Sequence, residues 1–249
     1  MIIKTVITVL SLVLFSTLFL ITPTLAQTIV VPPEFKNQQG TPTESIFSCI
    51  LLPNGVRIQA LYPANDLIAG TISGFKIRTI EGFPSVGSFV VPNINVELST
   101  TNVEPGELSN VFADNTGPNA QTVFSGDLNV GQIPLCNTNP CPFNIPVTFQ
   151  TPFQYDPSDG NLLLEMIVPS CMDGTVPFIL IDSTFEIDAI IASDSNASEG
   201  NMGFWNITQF VYTQRFTSVP TISEWGMIAM VAGFGSIGFF VVRRRKSQA

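Results

Sequence analysis

The 249-residue chain contains no histidine. Ser-His-Asp and Cys-His nucleophile constellations are thereby excluded, because each needs an imidazole to accept the nucleophile's proton. Zinc loses its commonest nitrogen ligand, and four cysteines with one short-spaced pair do not replace it, so no metal centre of that kind is expected. Cations are scarce as well, ten Lys and Arg against nineteen Asp and Glu. Half of them lie near the two ends, as Lys4 and Arg243, Arg244, Arg245 and Lys246. The section between carries eighteen acids against Lys36, Arg57, Lys76, Arg78 and Arg215, a net charge close to −13. Such a surface repels phosphate backbones, so no nucleic-acid partner is expected. Helical patterning is also missing from that section. No stretch joins a cap to three or four turns of 3.6-residue apolar periodicity.

What is present is period-two alternation. "GFKIRTI" sets Phe75, Ile77 and Thr79 against Lys76, Arg78 and Ile80, and "NINVELST" sets Ile94, Val96 and Leu98 against Asn93, Asn95 and Glu97. Further strand candidates are "IFSCILL", "VRIQALY", "QTVFSGDLNV", "IPVTFQ", "NLLLEMIVP", "FILIDSTFEIDAII" and "FWNITQFVY". Turn formers separate them in "PNG", "DNTGPN", "DPSDGN" and "SDSNASEGN". Many short strands joined by short turns predict an all-β fold, a single antiparallel β-sandwich of jelly-roll-like type. The polar stretch "VPPEFKNQQGTPTES" reads as a lead-in. A binding surface is expected on the long connections "PSVGSF" and "TTNVEPGELSNVFADNTGPNAQ" rather than on a sheet face.

Residues 1–26 read as a signal peptide. An early Lys4 and a long apolar run are followed by Pro23 and the small Ala26, which suits signal peptidase cleavage between Ala26 and Gln27. The exported domain is then 27–218. All four cysteines fall inside it, and an even number behind a signal peptide predicts two disulfides. "CNTNPC" can close locally through Cys136 and Cys141, which leaves Cys49 and Cys171 for the second bridge.

Catalytic chemistry has few candidates. Asp156 and Asp159 in "YDPSDGN" are the pair a glycan-active enzyme would need, but Asp, Pro, Ser and Gly at that spacing first describe a turn. Calcium has oxygen donors on offer at Asp114, Asn115, Asp156, Asp159, Asn161, Asp194, Asn196 and Glu199, although none matches the twelve-residue loop with central Gly and terminal Glu. No metal ligand is therefore assigned and no cofactor is expected. The sequons at Asn196 and Asn206 are short, and Asn206 is expected to face solvent from a strand. Trp205 and Tyr212 could stack on sugar rings if exposed, with core packing as the alternative.

The last thirty-one residues, 219–249, have three ordered parts. Val219, Pro220, Thr221, Ile222, Trp225 and Gly226 form a short motif at 219–226, an apolar run follows, and Arg243, Arg244, Arg245 and Lys246 end it. A transmembrane helix is expected over about 222–242. Its uncharged part, Met227 to Val242, covers roughly 24 Å as a helix against a hydrocarbon core of roughly 30 Å. The cations place that end in the cytoplasm as a stop-transfer.

This tail resembles the bacterial IPTL-CTERM sorting signal, with consensus I-P-T-L-x-x-W-G. Pro220, Thr221, Trp225 and Gly226 match in place, and Val219 and Ile222 depart conservatively. The resemblance implies an exosortase-type processing enzyme, as in the PEP-CTERM system. Upstream, "FQYDPSDGNLLLEM", "INVELSTT" and "GFWNITQFVY" resemble strands of uncharacterised exported β-domains, which bring no activity with them. The expectation is a non-catalytic protein of the bacterial cell envelope, surface or extracellular matrix. It would meet signal peptidase, the exosortase-type enzyme and the membrane on its way. A carbohydrate-binding sandwich that contacts extracellular polysaccharide is the alternative, and a glycan-active enzyme the third reading.

Overall fold

The computed structural model describes residues 26–44, 53–170 and 176–213, which lie within one compact unit, Leu25–Gln214. Its strands are β1 (Ala26–Val31), β2 (Thr41–Glu44), β3 (Val56–Tyr62), β4 (Gly70–Ile77), β5 (Phe89–Thr101) and β6 (Gln121–Val130). They continue with β7 (Ile145–Tyr155), β8 (Asn161–Val168), β9 (Leu180–Ala192), β10 (Asn201–Asn206) and β11 (Thr208–Thr213). Among the described residues these make two antiparallel sheets. The smaller runs β1-β11-β4-β7, and the larger runs β10-β9-β3-β8-β5-β6 with β2 on the first residues of β9.

Four pairs are nested in the chain. β5 pairs β6, β4 pairs β7, β3 pairs β8 and β1 pairs β11. Successive pairs alternate between the sheets, so the chain is one long hairpin with β5 and β6 at its tip, rolled into a sandwich. That is a jelly roll, with β9 and β10 added beyond β3. The expected fold class is therefore observed.

The alternating residues explain the layers. Ile58, Ala60 and Tyr62 of β3, Ile72, Phe75 and Ile77 of β4, and Ile94, Val96 and Leu98 of β5 share one buried core. Burying each of the larger of these stabilises the fold by about 1.5–3 kcal/mol before entropy is counted. The opposite face of the larger sheet carries a second, smaller core of Phe112, Ile190 and Ala192. It forms where the connection after β5 folds back over the strands, through the short helix Phe112–Asn115.

Two segments differ from the sequence reading. "FWNITQFVY" reads as one strand, but β10 ends at Asn206 in the larger sheet and β11 begins at Thr208 in the smaller. Ile207 is the corner. Its N–H donates to the Asp182 carbonyl at 3.1 Å, and the Thr208 hydroxyl donates back to the Asn206 carbonyl at 2.8 Å. The lead-in after β1 also contains structure, the helical turn Pro33–Lys36 and β2.

Candidate functional site

The face of the smaller sheet away from the core carries a groove of about 780 Å³. Val30 of β1 and Gln209 of β11 stand opposite each other on its floor. One wall is the helical turn Pro33–Lys36, entered through Pro32, and another is the loop closed by Cys136 and Cys141. Val30, Phe35 and Ile207 form a small apolar cluster on which Phe143 packs.

Arg78 holds this corner together. It follows β4 by one residue, and alternation would send it to solvent like Lys76, yet it is buried because the turn Pro33–Lys36 and the disulfide loop close over it. Its Nε donates to Asp182 Oδ2 at 2.7 Å, and its Nη2 donates to the carbonyls of Phe35 and Gln38, both at 2.7 Å. The guanidinium carbon lies 4.5 Å from the Phe143 ring centroid. Burial lowers the Arg78 pKa and raises that of Asp182, in each case against the partner's opposing charge. Asp66, which also lines the groove, is raised by burial and then by the charge of Glu34.

Among the remaining polar lining, the Thr138 hydroxyl donates to the Pro140 carbonyl at 3.1 Å. The side chains of Thr28, Asn37, Asn65 and Gln209 make no hydrogen bond within the described residues. Sequence reasoning missed all four, because each is an ordinary surface residue until the fold sets it around a concavity.

A second polar cluster lies on the outer face of the larger sheet. Arg57 Nη2 donates to both carboxylate oxygens of Glu165, at 3.0 and 3.1 Å, while its Nη1 donates to the Ala197 carbonyl at 2.9 Å. Gln59 donates to Glu165 at 2.6 Å and accepts from Asn115 at 3.0 Å. Glu97 stands directly across from Glu165 in the β5–β8 register. Burial raises its pKa first, and the Glu165 charge adds to this. The cluster fastens the connection after β5 to the sheet. That connection covers part of the outer face of the larger sheet.

The other candidates fall as follows. Cys136 and Cys141 form the expected disulfide. Cys49 and Cys171 lie outside the described residues. Asp156 accepts from the backbone N–H and hydroxyl of Ser158, at 2.9 and 2.7 Å, which lowers its pKa. It closes a turn completed by Gly160 at φ 128°, where an added Cβ would lie 2.4 Å from the Thr101 carbonyl oxygen. The turn reading of Asp156 and Asp159 therefore fits the geometry.

Of the oxygen donors considered for calcium, Asn161 bonds Ala64 and Val103, Asn115 bonds Ser109 and Gln59, and Asp194 bonds Asn196. Asp114 accepts from Ser109, and the backbone at Glu199 bridges to Val111. Among the described residues no three acidic side chains come together as a metal site.

Trp205 and Tyr212 are core residues, 1% and 0% exposed, so neither can stack on a sugar. Trp205 Nε1 donates to the Tyr62 hydroxyl, which also bonds the Thr208 hydroxyl at 2.9 Å. Asn206 corrects the sequence reading. It is buried with its Oδ1 bonded to Ser183, because the β10–β11 corner turns it inward.

Ala26 and Gln27 open β1, exposed, and Ala26 is paired with Thr213, the last residue of β11. The expected cleavage junction thus lies beside the last residue of β11. The signal peptide ahead of Ala26, the motif Val219, Pro220, Thr221, Ile222, Trp225 and Gly226, the expected helix 222–242 and the cations Arg243, Arg244, Arg245 and Lys246 lie outside the described residues. Among the described residues no helix is long and apolar enough to cross a membrane.

In chain order, the jelly-roll sandwich is followed by a C-terminal sorting signal. The family whose model matches is the IPTL-CTERM motif, over residues 217–246, beginning four residues beyond Thr213. The match supports an exported protein sorted to the cell envelope or surface by an exosortase-type system, with that processing enzyme as a partner. No curated protein and no solved structure matches the chain.

Proposed function

We propose that this is a non-catalytic component of the bacterial cell surface or extracellular matrix, delivered by a cleaved signal peptide and a cleaved C-terminal signal. The IPTL-CTERM match at 217–246 carries the reading. The mature protein is then the jelly roll, with Gln27 at its start and a C-terminus near 219–226. The apolar run holds the motif at the outer membrane interface while Arg243 to Lys246 stay in the cytoplasm, within reach of a membrane-embedded enzyme.

Two features support cutting over permanent anchoring. The sixteen uncharged residues fall short of a full hydrocarbon core, and an anchor has no use for Pro220 and Trp225 in this arrangement. The test is Pro220→Ala in the producing cell. An uncut precursor in the membrane fraction is expected, with the wild-type chain released from that fraction. Equal membrane retention of both would contradict the proposal.

A further inference from the structure

The groove over the smaller sheet has the chemistry of a ligand site, and its lining indicates the ligand. Asn37, Asn65 and Gln209 present three carboxamides, each able to donate and accept, and Thr28 adds a hydroxyl. None of these side chains makes a hydrogen bond within the described residues, whereas the amide groups of Asn115 and Asn161 elsewhere do. The charges nearly cancel. Asp182 neutralises Arg78 in the wall, and the lining otherwise holds one charge of each sign, Lys36 and Asp66. A volume of about 780 Å³ lies within the roughly 300–1,000 Å³ common for small-ligand sites.

Paired donor–acceptor groups without net charge complement hydroxyls, which also donate and accept. A phosphate or carboxylate ligand would call for surplus cations, and the domain carries a strong negative charge. An apolar ligand would leave the amides unpaired. The prolines Pro33, Pro140 and Pro142 supply apolar surface suited to the C–H faces of a pyranose. We infer that this groove binds a short stretch of neutral polysaccharide. The wall that shapes it is kept in place by the Cys136–Cys141 bridge and by the Asn139 amide donating to Glu81 at 3.0 Å.

The inference goes beyond the sorting proposal and stands apart from it, because its readout is sugar binding and not processing. The test is binding of the natively exported protein to an array of neutral and uronic-acid oligosaccharides, followed by titration calorimetry with the best neutral hexasaccharide. Asn65→Ala and Gln209→Ala remove no side-chain hydrogen bond within the described residues, so both should fold normally. Each is expected to weaken binding roughly three- to tenfold, the range of one lost hydrogen bond. Met202→Ala, exposed on β10 and outside the groove, should leave it unchanged. The inference is overturned by binding to no neutral saccharide or by affinity unaffected in the Asn65→Ala, Gln209→Ala double variant. Binding confined to uronic-acid chains that Lys36→Gln and salt abolish, or to extended peptides alone, overturns it equally.

Discussion

Arg78 and Asp182 form an ion pair at 2.7 Å with both side chains almost wholly buried, and the pair joins the two sheets. Arg78 continues the smaller sheet past β4, and Asp182 belongs to β9 of the larger. Asp182 also accepts from the Gly40 N–H at 2.7 Å, so the segment between β1 and β2 is tied to the same point.

Arg78→Ala leaves the Asp182 carboxylate buried without its cation and frees two carbonyls. The expected loss is about 3–5 kcal/mol, the usual cost of breaking one side of a buried pair. Arg78→Met with Asp182→Leu removes both charges and should cost clearly less. Thermal unfolding of the three proteins checks the order. Equal losses in the single and double variants would show that the charge pairing is irrelevant.

The disulfide of Cys136 and Cys141 encloses a short loop, so its stabilisation is modest. The chain-entropy relation gives about 2 kcal/mol for a loop of this size. Cys136→Ser with Cys141→Ser should lower Tm by about 4–8 °C for a domain of this length. The groove should lose its shape first, because the bridged loop is one of its walls. Denaturant unfolding and sugar titration of the variant measure the two effects separately.

Glu97 faces Glu165, and burial together with that neighbour raises its pKa. The folded state therefore binds the Glu97 proton more tightly than the unfolded chain does. Stability from this residue is fully present below the ordinary glutamate range and falls as pH rises through the elevated value. Glu97→Gln should be more stable than wild type at pH 7, by about 1–3 °C in Tm after allowance for solvent screening. The difference should vanish near pH 4. A variant less stable than wild type at pH 7 would reverse the assigned sign.

Strand β11 lies between β1 and β4, so the small sheet cannot close without it. A chain ending at Gln214 should resist protease, and one ending at Ile207 should be degraded. A protease-resistant core in the shorter chain would show that β1 and β4 hold without their shared neighbour.

Much of this fold was legible because inward residues alternate with outward ones. Ile94, Val96 and Leu98 read as one face and share the core, and "QTVFSGDLNV" is β6 residue for residue. What alternation cannot report is a change of sheet. The β10–β11 corner keeps the pattern of one strand, and only the bonds around Ile207 and Thr208 reveal the bend. Arg78 misled for a related reason, since its position in the pattern is outward and a distant loop covers it. The groove was illegible altogether. Asn65 and Gln209 are 144 positions apart and meet only through the roll of the sheets.

The central claim is that the chain is an exported protein whose C-terminal signal is read and removed. Intact-mass and C-terminal peptide analysis of the protein recovered from the cell surface tests it most directly. The account predicts a mature chain that begins at Gln27 and contains neither Trp225 nor Arg243. A surface-recovered protein that still ends in Arg243, Arg244, Arg245 and Lys246, with the processing enzyme present, would contradict it.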